Sequence, residues 1–281
     1  MPELPEVEIL ARRLRPLIRG KIIRKAEIRR ERVTRPTSPR ELEKVLRGAK
    51  FKDLTRRGKY LLFELQPKNS KKTLTVLGHL GMTGRMFVAL KKEKLPTHTA
   101  VVLDLGDRNF VYEDWRYFGR MTLDLSSIEK LGPEPTDKKL SPEVFAKSLK
   151  QSRQAIKVKL LDQSLIAGVG NIYASEALFR ARISPKLPAN RLTLERAKDL
   201  LRTIRAVLAE AIKYGSTVPL KTMSGKSDAL FYFGEGSEGF YEKRLRVYNR
   251  AGKPCLNCGT PIKRITQAAR STFYCPNCQR K

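Results

Sequence analysis

The sequence is short of acid. Asp and Glu together number 28 against 58 Lys and Arg, a formal net charge of +30 in 281 residues. That excess excludes an ordinary enzyme of small metabolites and implies a polyanionic partner, with nucleic acid the first choice. Heat adaptation, the other common source of a charged surface, raises Glu together with Lys and Arg, and here Glu lags. Histidine is scarcer still. His79 and His98 are the only two, and neither has a Cys or His partner at ligand spacing, so each reads as a structural histidine. No run approaches the ~20 apolar residues of a membrane-spanning helix. No secretory apolar region opens the chain. Cysteine is absent before Cys255, which argues against a disulfide framework and for metal in a reducing compartment.

A chain of this length accommodates one to three domains. Val7, Leu10, Ala11, Leu14 and Ile18 recur at helical spacing and predict a helix over 5–18, with Pro16 kinking or shortening its end and Gly20 closing it. From Lys21 to about Leu125 the pattern turns to short strands: 22–29, 51–55, 60–65, 73–77, 85–90, 99–105, 109–113 and 120–125. A short helix over 41–46 interrupts them. Many short strands in succession predict a sandwich or barrel. Gly132-Pro133-Glu134-Pro135 reads as a linker, after which helices follow at 142–150, 154–162, 171–180 and 194–214. Thr193 suits the N-cap of the last and Gly215 its stop. Residues 223–239 read as a loop. The expected fold class is therefore α+β, in three parts: 1–131, 132–240 and 241–281.

Three places carry chemistry. The first is the start, Met1-Pro2-Glu3-Leu4-Pro5-Glu6-Val7-Glu8. If Met1 is removed, Pro2 becomes a free secondary amine beside Glu3. Terminal amines titrate near pH ~7.7–8, so an appreciable share is neutral and nucleophilic at physiological pH. Such an amine attacking a sugar carbon forms an iminium, which activates neighbouring bonds for elimination. The second is Cys255-x2-Cys258 followed by Cys275-x2-Cys278, the spacing of a four-thiolate zinc site. A closed shell of four cysteines leaves no position for water, so this Zn2+ is structural. Ten Lys and Arg against one acid, Glu242, surround it from Tyr241 onward, and Arg270 between the pairs is a candidate DNA contact. The third is the turn Gly168-Val169-Gly170-Asn171, which reads either as a phosphate cradle at a helix N-terminus or as a plain helix–helix turn. Lys157 reads as a second phosphate ligand or as a solvated face residue. Lys59, at a strand entrance, reads as a phosphate binder or as an edge solubiliser. The aromatics flanking Arg116, with Phe118 among them, read as core or as a wedge filling the hole of an extruded base.

Taken in order, Met1–Glu8, Arg56–Leu62, His79–Gly84, Gly168–Glu176 and the four-cysteine terminus closely resemble bacterial formamidopyrimidine-DNA glycosylases along essentially the whole chain. Leu4 and Val7-Glu8 resemble this branch more than endonuclease VIII, which repairs oxidised pyrimidines. The resemblance implies a bifunctional glycosylase and lyase for oxidised purines. It implies an N-terminal β-sandwich, a helix–two-turn–helix middle and a zinc finger. It also implies that Pro2 is the nucleophile, Glu3 the acid that assists sugar opening, Glu6 a support for the amine, and Lys59 a pocket lysine. Lys157, Asn171, Arg270 and His98 are then DNA contacts, and Met82, Arg116 and Phe118 fill the space of the flipped nucleotide. The implied partner is double-stranded DNA carrying oxidised purines, met by a cytoplasmic, nucleoid-associated monomer. Two other readings stay open: an endonuclease VIII-like glycosylase and a non-catalytic nucleic-acid-binding zinc protein. The chain departs from the family pattern at Trp115, where proline is usual, at Asn249, where glycine is usual, and over 223–242, the stretch that corresponds to the cover of the flipped base.

Overall fold

A computed structural model describes residues 2–215 and 241–280. The loop expected at 223–239, and Met1, lie outside them. The chain divides into two compact units, one holding residues up to 129 and the other residues 130–215 with 241–280.

The first unit is two antiparallel four-stranded sheets with a helix. One sheet has the order β1 (Lys25–Ile28), β6 (Thr99–Asp104), β7 (Arg108–Glu113), β5 (Arg85–Leu90). The other runs β2 (Lys50–Arg57), β3 (Tyr60–Gln66), β4 (Leu74–His79), β8 (Arg120–Thr122). Alternation along β3 sends Leu61, Phe63 and Leu65 into the core and leaves Tyr60, Leu62 and Glu64 half-buried. Phe63 meets Phe110 of the other sheet edge to face at 5.6 Å, and Phe51 flanks both. This aromatic cluster is where the two sheets of the sandwich close on each other.

Helix α1 (Leu4–Ile18) lays Val7, Leu10, Leu14 and Ile18 on this core. Pro16 does not shorten it. Proline in the last turn removes only one hydrogen bond, and burial of Leu14 and Ile18 holds that turn in place. Gly20 then adopts φ +81°. Helix α2 (Pro39–Leu46) begins earlier than expected because Ser38 caps it through Glu41 N–H. Two expected strands are shorter than their apolar runs. Only Lys25–Ile28 pairs with β6, and β8 stops at Thr122, where the Thr122 hydroxyl bonds Thr37 instead. A short α3 (Ser126–Glu129) ends the unit.

The second unit gathers α4 (Pro142–Lys150), α5 (Ile156–Lys159), α6 (Asn171–Arg180) and α7 (Leu194–Tyr214) around one apolar core. The helix expected over 154–162 shrinks to four residues, because Ala155 bridges Pro188 and Ile156 N–H goes to Leu187. Beyond residue 240 a hairpin of β9 (Lys263–Gln267) and β10 (Arg270–Tyr274) packs Ile262 and Phe273 against Phe179 and Val247. Ala268 and Ala269 turn it with φ of +47° and +58°, the signs a two-residue hairpin loop requires. No helix among the described residues is long and apolar enough to cross a membrane.

Candidate active site and DNA-binding elements

The N-terminus of α1 is built around carboxylates. Pro2 is buried, as are Glu3 and Glu6. Glu3 and Glu6 form a capping box in which Glu6 Oε2 accepts the Glu3 N–H at 2.8 Å. The box satisfies backbone donors that the first turn leaves open, and it fixes the direction in which the chain enters the helix. Pro2 stands immediately before that cap.

One turn further, Glu8 accepts from Arg56 Nε at 2.7 Å and from Arg12 Nε at 2.6 Å. Burial works to raise its carboxyl, but these two guanidiniums prevail and hold it below the usual carboxylate range. Arg56 also donates to Gly58 O at 3.0 Å. Gly58, at φ +57°, and Lys59 are the two-residue turn between β2 and β3. The Glu8–Arg56 pair therefore ties the helix that begins beside Pro2 to the turn that carries Lys59. Lys59 is buried, which rules out its reading as an edge solubiliser.

Strand β4, paired with β3, ends at His79, whose ring stacks on that of Tyr60 with centroids 4.7 Å apart. Burial, with the nearby charges of Lys59 and Arg120, pushes His79 down to about 4. It stays neutral at physiological pH, and its Nδ1 accepts the Gly81 N–H at 3.2 Å. That bond begins the loop holding Met82. Met82, Trp115 and Phe118 are 46%, 60% and 43% exposed, so these side chains are not part of the core. Arg116 lies over the Phe118 ring at 4.7 Å and donates to Met82 Sδ at 3.4 Å. The three residues expected to fill the flipped nucleotide's space thus form one cluster. His98 is exposed beside it, its ring 6.3 Å from that of Tyr117.

In the second unit, Lys157 is wholly buried, so it is not a solvated face residue. Its Nζ donates to Asn171 Oδ1 at 2.5 Å, and Asn171 Nδ2 donates to Ser271 O at 2.8 Å. Asn171 is the first residue of α6, and Gly168 in the turn before it takes φ +91°. This side chain joins α5, the helix N-terminus and the zinc hairpin next to the exposed Arg270. Asn249 adopts φ +59°, a left-handed conformation that Asn tolerates better than most residues.

Glu176 and Gln279 were not singled out in the sequence. Buried Glu176, on α6, accepts the N–H groups of Arg246, Val247 and Tyr248, each at 2.9 Å. Burial lifts its carboxyl above the ordinary range against the pull of those donors. Gln279 accepts from Cys275 N and donates to Ile183 O. Both fasten the terminal module to the helices. The partners of Glu176 lie 70 residues or more away along the chain, and the Gln279–Ile183 bond spans 96, so local spacing does not report these ties.

The four cysteine sulfurs lie within 4.8 Å of one another. Cys255–Cys278, Cys258–Cys275 and Cys258–Cys278 are separated by 3.9, 3.5 and 3.4 Å. A tetrahedral zinc with bonds of ~2.3 Å requires sulfurs ~3.8 Å apart, so the cradle fits the ion. Hydrogen bonding with Thr260 lowers the Cys258 thiol to about 5, whereas burial and the neighbouring sulfurs push Cys278 up to about 12. Four thiolates fill a tetrahedral shell and leave no position for water, so the site is a structural zinc centre.

The same three parts appear in comparison with known proteins. Residues 1–121 match the formamidopyrimidine-DNA glycosylase N-terminal domain, residues 131–222 the H2TH domain of that enzyme, and residues 252–280 the zinc finger found in FPG and IleRS. The formamidopyrimidine-DNA glycosylase of Carboxydothermus hydrogenoformans is 39% identical over 280 residues, covering 100% of both chains. That of Thermus thermophilus is 41% identical over 286 residues, covering 99% of this chain and 98% of its own. Among solved structures, wild-type Lactococcus lactis Fpg in complex with N7-benzyl-Fapy-dG DNA superposes with a TM-score of 0.87, at 34% identity over 100% of each chain. A complex of the LlFpg protein with THF-DNA and an inhibitor gives 0.88, also at 34% identity and full coverage of both chains. With each of its three parts matched and relatives near 40% identity from end to end, the chain belongs to the formamidopyrimidine-DNA glycosylase family.

Proposed function

We propose that this protein excises oxidised purines, 8-oxoguanine and formamidopyrimidines, from duplex DNA in base excision repair and then cleaves the strand by β,δ-elimination. The reading takes residues 1–131 as the catalytic sandwich, 132–240 as the helical DNA-binding part and 241–281 as the zinc module. The basic surface finds DNA electrostatically. The damaged nucleotide leaves the stack at a cost of a few kcal/mol, and Met82, Arg116 and Phe118 occupy the space it leaves. Lys157, Asn171, Arg270 and His98 hold the backbone that flanks it.

Chemistry begins at Pro2, exposed as an amine once Met1 is removed. The amine lies at the start of α1, a 15-residue helix. Its nitrogen bonds to C1′ and the C1′–base bond breaks, the base leaving with the electron pair and a proton. Glu3 protonates the sugar ring oxygen as the ring opens, and the nitrogen–carbon bond becomes an iminium. That cation acidifies the adjacent C2′ hydrogen. Its loss expels the 3′ phosphate, and a second elimination expels the 5′ phosphate. Lys59 contacts phosphate and assists these proton transfers, and Glu6 holds the cap from which Pro2 projects. The Zn2+ ion supplies rigidity to the hairpin that carries Arg270 and takes no part in bond breaking. The substrate places the enzyme with the chromosome in the cytoplasm, and nothing in the scheme requires a second subunit.

The observation that carries this reading is a buried Pro2-Glu3 pair at a capped helix start in a chain of this family. A binding module has no use for a terminal amine. The test is base release from duplexes holding 8-oxoguanine opposite cytosine or thymine glycol opposite adenine. Faster release of 8-oxoguanine is expected. Preference for thymine glycol points to the oxidised-pyrimidine reading, and tight binding without release of either points to a non-catalytic zinc protein.

A further inference from the structure

The side chains of the wedge belong to two separate loops, 80–84 after β4 and 114–119 after β7, which expose Met82, Trp115 and Phe118. We propose that Asp114 is the positioning residue that locks these loops into a single wedge. The inference rests on the function proposed above and deepens it.

Asp114 is fully buried, and its carboxylate divides its bonds between the loops. Oδ1 accepts from Thr83 Oγ1 at 2.5 Å, next to Met82, and from Arg116 N–H at 3.2 Å. Oδ2 accepts from Gly119 N–H at 2.8 Å, next to Phe118. Its own N–H goes to His98 O at 3.1 Å, and its carbonyl receives Tyr117 N–H at 3.2 Å. All three partners of the carboxylate are neutral donors, one hydroxyl and two backbone N–H groups. A buried carboxylate is costly, and here it is placed where it joins every element of the wedge.

The backbones interlock around it. A Cβ on Gly81 would lie 2.6 Å from Gly119 N, and one on Gly119 would lie 1.9 Å from the Tyr112 hydroxyl and 2.4 Å from His79 O. Tyr117, between Arg116 and Phe118, takes φ +51°, which is strained for an aromatic residue and persists only where surrounding bonds impose it. The Tyr117 and Gly119 N–H groups on either side of this kink both end on Asp114. Without the carboxylate, the Thr83 hydroxyl and the Arg116 and Gly119 N–H groups lose the acceptor they share across the two loops.

Loosening the wedge impairs the step in which the nucleotide is exchanged for protein, so the effect depends on how firmly the target is paired. The variants are Asp114→Asn, Thr83→Ala and Thr83→Ser. Each is assayed in single turnover for 8-oxoguanine release from a fully paired duplex and for cleavage of a preformed abasic site facing a one-nucleotide gap, where there is nothing to displace. Thermal midpoints are recorded in parallel. Asp114→Asn and Thr83→Ala are expected to lose at least ~10-fold on the paired lesion and under ~3-fold on the gapped abasic site, the scale expected when positioning slips by a fraction of an ångström. Thr83→Ser keeps the hydroxyl and restores the paired rate. Equal losses on both substrates, or wild-type release by both Asp114→Asn and Thr83→Ala, overturn the inference. A wild-type protein that releases no 8-oxoguanine from the paired duplex overturns instead the function on which it rests.

Discussion

Replacing Glu6 by alanine tests whether the start of α1 aims the nucleophile. Glu6 is wholly buried, and its Oε2 accepts the N–H of buried Glu3 at 2.8 Å. Loss of a helix cap costs about 1 kcal/mol, and a buried N–H without its acceptor costs roughly 1–3 kcal/mol. The two figures describe partly the same bond, so about 2–3 kcal/mol is expected rather than their sum. At roughly 2–4 °C per kcal/mol, the thermal midpoint falls by about 5–10 °C. The rate is the more telling quantity. Pro2 precedes the cap, and a displacement near 1 Å lowers reactivity by ~100-fold. Glutamine retains an acceptor oxygen and serves in capping boxes, so Glu6→Gln should stay within ~10-fold of wild type, a loss of no more than ~1.4 kcal/mol. The assay is single-turnover borohydride crosslinking to a duplex with a preformed abasic site, beside scanning calorimetry. The reasoning is refuted if Glu6→Ala crosslinks at the wild-type rate. It is also refuted if Glu6→Gln is as slow as alanine, since charge and not geometry would then be the requirement.

Three further outcomes follow from other parts of the molecule. Asn171→Ala breaks the links from Lys157 to the zinc hairpin and should weaken duplex binding by ~10-fold or more at moderate salt, measured by fluorescence anisotropy; unchanged affinity would remove Asn171 from the interface. His79 is held at about 4 against an ordinary 6.5, by burial and by Lys59 and Arg120, with Asp114 pulling the other way. The unfolded chain therefore takes up a proton that the native state refuses. Stability from this group is complete above pH 6.5 and is lost as pH falls from there to about 4, by at most ~3 kcal/mol. Denaturant midpoints for wild type and His79→Asn should converge across that window, and parallel profiles would contradict the assignment. Finally, the purified protein should hold one zinc per chain. A chelator or Cys275→Ser should abolish tight duplex binding and leave circular dichroism from the sandwich unchanged; full binding by metal-free protein would contradict the structural role.

Much of the architecture was legible because it rests on local pattern. The 3.6-residue spacing in α1 and α7, the alternation in β3 and the Cys-x2-Cys pairs each report a periodicity that tertiary structure preserves. Local reading failed where distant partners decide. Pro16 was expected to kink or shorten the end of α1, but the core beneath Leu14 and Ile18 holds the helix to Ile18. The helix expected over 154–162 gave way to bonds with 187–188. The candidate site divides in the same way. Pro2, Glu3 and the four cysteines are marked by their place in the chain. Lys157 was ambiguous because sequence does not report burial, and the Asp114 carboxylate was invisible because its Thr83 partner is 31 residues distant. Asp114 stands beside Trp115 and Arg116, which drew attention to themselves by type, whereas the residue that organises them is an unremarkable acid.

The most direct test of the whole account is the site of covalent capture. Zinc-loaded protein, shown by mass spectrometry to begin at Pro2, is incubated with an 8-oxoguanine·cytosine duplex and borohydride, digested, and the peptide bearing deoxyribose is sequenced. The account predicts one adduct, on the nitrogen of Pro2, formed together with release of the damaged base. Base release with the sugar fixed to Lys59, or with no adduct on any residue, would contradict it.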